Sequence, residues 1–445
     1  MRPAAYRLLG HTAPTAVVAW RDGRAITAAE FLAHVRAVAG TLPEGGHVLN
    51  ACADRYLFAV GLYASLLRGT VSMLPPTQTP EMIRSLRAFA PDLYCLSDQE
   101  TPPADLALFQ VVDRLESAAD TEDFDIPELP ANRLVACVFT SGSTGVPQPH
   151  RKHWGSLVVN VRNEARRLGI APGHTILGTV PAQHMYGFES TVLIALLNGA
   201  ALCAQKPFYP ADIAGALAAL PRPRALVTTP FHLRTLFDAE LPIPAADLVV
   251  SATAPLSVEL AQAAEAAFGA PLLEIYGATE TGQLATRRTA DTDLWTTFDG
   301  VTLRYADEQL IAQGGHIEGE TPLGDLLELL APDQFRLLGR AADVINIAGK
   351  RTSLGYLNHQ LTSLPGVRDG IFFMPDDEAV DGVTRLMAFA VAPDMTARSL
   401  AEALRERIDP VFLPRPLVLV DALPRNSTGK LPRDALRALA RQHRG

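Results

Sequence analysis

From about Arg133 to Tyr276 the sequence repeats one unit, a short apolar run followed by an amphipathic stretch of helical period. The runs are residues 134–139, 175–180, 225–229, 248–251 and 272–276. Helices are predicted over 155–167 and 258–268, the second with Ser257 as its N-cap. A run that is apolar at every position is buried on both faces, and such strands belong to parallel sheets covered by helices. The repetition therefore predicts an α/β fold on a largely parallel sheet.

The first 130 residues carry the same signature more weakly. Helices are predicted at 28–39 and 55–67, a strand at 70–74, and a Pro- and acid-rich surface connection over 101–130. After Gly300 the period shortens to two, at 301–305, 309–312, 326–330 and 335–338, which predicts a small β layer. From residue 342 a fresh mixed segment begins, with helices at 354–364 and 397–407 and strands at 370–373, 386–391 and 417–420. The domain boundary is placed within 340–343. This gives a large N-terminal domain, 1–341, of parallel-type sheets with helices plus the β layer, and a small α+β domain, 342–445.

Composition narrows the partners. With 48% hydrophobic and 20% charged residues, 445 residues bury a large core. The 39 Lys and Arg against 48 Asp and Glu, a formal −9, argue against a nucleic-acid partner. From residue 342 onward there are 14 basic and 12 acidic residues, so the acidity lies in the large domain. Cys52, Cys95, Cys137 and Cys203 are dispersed with no CxxC pair, as expected of reduced thiols in a cytoplasmic protein. No apolar stretch approaches the roughly 18 residues of a membrane span.

Four segments carry chemistry. Phe139-Thr140-Ser141-Gly142-Ser143-Thr144-Gly145 follows an apolar strand and precedes a helical stretch. Its glycines allow tight turning with N–H groups aimed inward, and its hydroxyls add donors, a composition suited to cradling phosphate. It is not a Walker loop, because Val146-Pro147 replaces the Lys-Ser/Thr pair. The second segment, Glu274-Ile275-Tyr276-Gly277-Ala278-Thr279-Glu280-Thr281-Gly282, also ends a strand. Glu280 suits Mg²⁺ between phosphates and Tyr276 suits stacking on a base; alone, a Thr-Glu pair there also reads as a helix start. Third, Asp325 can accept both hydroxyls of a ribose, with Arg340 as a donor nearby in sequence. Fourth, Pro424-Arg425-Asn426-Ser427-Thr428-Gly429-Lys430 is a turn presenting Lys430. His150 and His153 have no evident third ligand, so a metal site of their own is discounted.

In this order and at these separations the four segments resemble the adenylate-forming superfamily of acyl-CoA synthetases, nonribosomal-peptide adenylation domains and luciferases. Ser251-Ala252-Thr253-Ala254-Pro255-Leu256 is similar to that family's adenine-contacting turn. The resemblance implies a large domain with a small mobile C-terminal lid, and ATP and Mg²⁺ as cofactors. It implies that Thr140, Ser141, Gly142, Ser143, Thr144 and Gly145 bind the phosphates, and that Ala252, Ala254, Pro255, Tyr276 and Gly277 serve the adenine. Thr279 and Glu280 would serve the α-phosphate and Mg²⁺, Asp325 and Arg340 the ribose, and Lys430 would be the lid lysine of adenylation. His184 and Gly187 match the gate of the acyl pocket. A carboxylate attacking the α-phosphate brings two anions together, so a lysine and a metal must offset their repulsion.

Two departures stand out. Gln148 occupies the place of the lysine usual after the phosphate loop, with Arg151 or Lys152 as replacement cations, and Ala342 occupies the hinge position. The run Pro147-Gln148-Pro149-His150-Arg151-Lys152 resembles stand-alone AMP-ligases of aryl-polyene and xanthomonadin-type pathways. That implies an aromatic acid, such as a hydroxybenzoate, and the phosphopantetheine thiol of an acyl carrier protein as acceptor. Ten basic against five acidic residues from Arg398 onward agree with an acidic partner or with a solvated helix. Free CoA is the alternative acceptor, and a degenerate nucleotide-binding protein the alternative of another class.

Overall fold

The computed structural model describes residues 4–100, 106–112, 115, 124–140, 148–307, 309–340, 344–347, 350–375, 386–425 and 431–443. At its centre Val17–Arg21, Ala201–Cys203, Thr175–Gly178, Arg224–Thr228, Leu248–Ser251 and Leu272–Ala278 lie side by side in parallel. Every residue of Thr175–Gly178, Arg224–Thr228 and Leu248–Ser251 is buried, as continuous apolar runs require. Helices Pro210–Ala219, Pro230–Asp238 and Val258–Phe268 cover one face through Leu217, Leu233, Ala261 and Phe268. Ser257 caps the last of them by accepting from the Leu260 N–H at 3.2 Å.

A second, six-stranded sheet carries Leu134–Thr140, which runs parallel to Val71–Leu74 and antiparallel to Gln148–His153. Helix Arg55–Arg68 lies between the two sheets. The wholly buried Arg55 guanidinium donates to the carbonyls of Gly178 (3.0 Å), Val180 (2.7 Å), Cys203 (3.3 Å) and Gln205 (2.9 Å). Burial lowers its pKa to about 10, and it stays charged. It thereby ties this helix to the carboxyl ends of the central strands, next to the loop holding His184.

Two expectations change. Asp325–Ala331 and Gln334–Arg340 do not join a separate β layer; they extend the central sheet through Trp295–Thr297, because Trp295 and Phe335 stack in its core. The small layer consists of Val301–Ala306, Gln309–Gly314 and Thr321–Leu323. The stretch 101–130 is more than a connection: Leu108–Gln110 pairs with Tyr94–Ser97, and Glu128–Pro130 with Ala5–Arg7.

The C-terminal part has its own core. Helices Leu354–Thr362 and Ala397–Arg405 pack Leu357, Leu361, Leu400 and Leu404 against Phe372 of the sheet Asp369–Phe373, Met387–Val391 and Leu417–Leu419. At about 1.5–3 kcal/mol per fully buried side chain, such a cluster supports a small domain. Residues 341–343, where the boundary is expected, lie outside the described residues.

Candidate functional site

In an open α/β sheet a crevice forms off the carboxyl ends of the strands. Here two adjacent ends, those of Leu248–Ser251 and Leu272–Ala278, carry two of the predicted segments. Ala252 is nearly buried, Ala254 is partly exposed and Pro255 exposed. Thr253 between them has φ +79°, a conformation that a β-branched residue adopts only under constraint.

The Thr-Glu segment is not a helix start. Leu272–Ala278 turns back through Thr279-Glu280-Thr281 into Gly282–Arg287, with Ala278 opposite Gly282. Two glycines permit this hairpin. A Cβ at Gly277 would lie 2.5 Å from the Gly282 carbonyl, and Gly282 itself has φ +79°. Glu280 thus stands at a hairpin tip, its side chain 41% exposed.

Tyr276 is a seven-percent-exposed ring packed on Trp295 (5.8 Å between centroids) and Phe335 (5.5 Å), and its hydroxyl donates to Asp325 Oδ2 at 2.8 Å. Most of the ring is therefore engaged by protein, and the tyrosine orients the carboxylate expected to meet the ribose. The strand register sets Asp325 opposite Arg340.

The predicted phosphate loop differs in its setting. Thr140 ends one strand and Gln148 opens the antiparallel next one, so residues 141–147 join two strands and no helix follows them directly. Ser141, Gly142, Ser143, Thr144 and Gly145 lie outside the described residues, as do Lys430 and the hinge residues Ala342 and Asp343. At the root of the loop the Thr140 hydroxyl is 2.9 Å from His150 Nε2, and the same nitrogen is 3.9 Å from Glu280 Oε1. His150, discounted by sequence spacing, therefore bridges two predicted segments. Burial and Lys152 lower its pKa, and Glu280 opposes them in part.

Sequence reasoning missed the shell behind the hairpin. Lys152 is buried, its pKa lowered by that burial, and it donates to the Glu280 carbonyl at 3.3 Å. His316, its pKa lowered to about 4 by burial, is neutral and donates Nε2–H to the Thr281 carbonyl at 3.1 Å. Glu189, pushed up to about 7 by burial, accepts from Asn160 at 2.7 Å. The period-two alternation of His150 and Lys152 was the one local signal of this shell.

His184 and Gly187, the residues expected at the acyl gate, lie at one short helix. His184 caps the short helix Met185–Gly187, its Nδ1 accepting from the Tyr186 N–H at 3.3 Å. Gly187 is required by packing, since a Cβ there would lie 2.0 Å from the Pro181 carbonyl. A turn of π-helix, Phe188–Leu193, follows, a geometry frequent at functional sites. Among the described residues no group of three or more His, Cys, Asp or Glu forms a metal cluster. No helix there is long and apolar enough to cross a membrane.

Thr140, His150 and Glu280 thus approach one another, and Tyr276, on the strand that leads into the Glu280 hairpin, holds Asp325. Residues 7–303 match the AMP-binding enzyme family and residues 359–430 the AMP-binding enzyme C-terminal domain. The 4-coumarate–CoA ligase of Rhodobacter capsulatus is 31% identical over 65% of this chain and 71% of its own length. The 3-hydroxybenzoate–CoA/4-hydroxybenzoate–CoA ligase of Thauera aromatica is 25% identical over 78% of this chain and 73% of its own. ATP-bound MatB from Rhodopseudomonas palustris superposes with a TM-score of 0.82 over 96% of both chains at 19% identity, which shows the fold alone. The chain belongs to the AMP-binding enzyme family, and it is an ATP-binding, adenylate-forming acid ligase.

Proposed function

We propose that the protein condenses an aromatic carboxylic acid with ATP to an acyl-adenylate, releasing pyrophosphate, and then passes the acyl group to the phosphopantetheine thiol of an acyl carrier protein. The observation that carries the adenylation step is the convergence of Thr140, His150 and Glu280 beside the Tyr276–Asp325 pair. The exposed Glu280 carboxylate with the neighbouring Thr279 hydroxyl is an oxygen-only donor set, which fits Mg²⁺. Glu280 and Thr279 would hold the ion, which would supply positive charge against the departing pyrophosphate. Asp325, held by Tyr276, accepts from the ribose hydroxyls, and residues 140–145 donate to the phosphates. Lys430 brings its ammonium to the reacting carboxylate and α-phosphate, then withdraws with the lid (residues 342–445) so that a thiol can enter.

The aromatic acid is favoured by relatives named for coumarate and hydroxybenzoate. The carrier protein is favoured by the exposed Arg398, Arg405, Arg433 and Arg441 on the lid, a surface suited to an acidic partner. CoA is the second reading, because both of those relatives are named for it. Purified protein with ATP and a panel of aryl and aliphatic acids should show acid-dependent pyrophosphate exchange strongest with hydroxyaryl acids. Adding CoA or holo carrier protein decides the acceptor; thioester on CoA alone removes the carrier reading.

A further inference from the structure

Side chains alternate along Gln148–His153, so His150 and Lys152 leave the same face of the strand. That face meets the Thr-Glu hairpin. Lys152 donates to the carbonyl of Glu280 and His316 to the next carbonyl, that of Thr281. Gly282 then rests on the Asn160–Glu189 hydrogen bond, where a Cβ would lie 2.7 Å from Asn160 Nδ2. Three consecutive residues are thus fixed from behind, and the Glu280 carboxylate remains open in front.

Burying an ammonium costs several kcal/mol, and an apolar side chain of similar volume fills the same space without that cost. Glu189, Glu280 and Glu318 offset the burial of Lys152 electrostatically. Of these, only Glu280 is also held through its backbone. The charge is therefore spent on the one peptide whose side chain is the candidate metal ligand.

We propose that Lys152 is a positioning residue for the metal-holding hairpin, fixing the Glu280 peptide so that its carboxylate keeps one direction, while His150, hydrogen-bonded to Thr140, stands 3.9 Å from that carboxylate. This rests on the reading that Glu280 holds Mg²⁺. Misplacement of such a group by about 1 Å is enough to cost about a hundredfold in rate, so a fixed peptide matters more here than added charge.

The test is equilibrium binding of ATP by calorimetry with and without Mg²⁺, alongside the KM for the acid. Lys152→Met alone leaves Glu189 buried and uncompensated, so the double variant Lys152→Met/Glu189→Gln is the main probe, since it removes both charges and keeps an acceptor for Asn160. The Mg²⁺-dependent gain in ATP affinity should fall about tenfold, with metal-free ATP affinity and acid KM unchanged, and Lys152→Arg should recover most of the gain. A double variant with the wild-type gain overturns the proposal. Glu280→Gln separates the two layers. If it too keeps the gain, the Mg²⁺ reading fails and this proposal falls with it; if it alone loses the gain, only the positioning role of Lys152 is overturned.

Discussion

Two charge clusters, one behind the Thr-Glu hairpin and one around Asp369, are built differently. Behind the Thr-Glu hairpin, Lys152 sits among Glu189 and more distant carboxylates and gives its hydrogen bond to a backbone carbonyl. At the root of the Lys430 turn, Asp369 takes two bonds of 2.7 Å from Arg425, while Arg234, on helix Pro230–Asp238 of the large domain, approaches to 3.9 Å. The first cluster lies within one domain and has no partner to exchange. The second contains a strong pair inside the small domain and a weaker contact across the interface, so the weaker contact can part without leaving Asp369 unpaired. One cluster joins segments of the large domain, and the other sets a close pair in the small domain beside a longer contact to the large one.

The largest effect separates these roles at the chemistry. Lys430→Ala should reduce acid-dependent pyrophosphate exchange at least about a hundredfold, the scale of losing one charged donor in a transition state, with ATP binding within twofold. An unchanged exchange rate removes Lys430 from adenylation.

The next effect tests how rigid the first cluster is. Glu164 is wholly buried beside the hairpin shell. Burial, with Glu189 facing it, pushes its pKa from 4.5 up to about 8, and Ser190 and Gln283 offset this only in part. The folded protein therefore keeps a proton that the unfolded chain gives up. Stability is full below about pH 4.5 and falls as pH rises toward 8, by at most about 1.4 kcal/mol per pH unit. Urea unfolding at several pH values should show Glu164→Gln with a flatter decline than wild type; equal slopes would mean that Glu164 is not the source.

The two clusters also differ in how far the sequence revealed them. Helices 28–39 and 258–268 and the strand 248–251 are found where local period and capping predict them, because those signals act within a turn or two. The hairpin is not legible in the spacing, which equally allows a helix start there, because the signal against a helix is the backbone requirement at Gly277 and Gly282. Glu189 and His316 read locally as core residues and Lys152 only as a replacement cation for the phosphate loop, and packing of Trp154–Leu168 and the π-turn against the hairpin is what brings them together. Asp369, Arg425 and Arg234 come from three distant segments, and nothing local marks them as partners.

A third effect breaks the lid-root cluster from within. Asp369→Asn leaves Arg425 and Arg234, both mostly buried, facing no carboxylate at that position, a change of about 3 kcal/mol. Hydrogen exchange should quicken across Met387–Val391, which pairs with the Asp369 strand, and remain unchanged in Leu248–Ser251. Loss of protection in both would mean that the two domains unfold as one unit.

The smallest change is the most informative about motion. Arg234→Gln leaves the Asp369–Arg425 pair intact, so the small domain should stay as stable as in wild type. What it removes is an attraction across the interface. Burial already lowers the Arg234 pKa, so desolvation offsets much of the Coulomb gain and the net contribution is about 1 kcal/mol. A difference of that size changes the balance between two lid positions about fivefold. If the contact belongs to the adenylating arrangement, Arg234→Gln slows pyrophosphate exchange a few-fold and leaves transfer from a preformed acyl-adenylate to thiol unchanged or faster. Equal slowing of both steps would show that Arg234 supports the site generally, and the contrast between a held hairpin and a releasable lid would then rest on Lys430 alone.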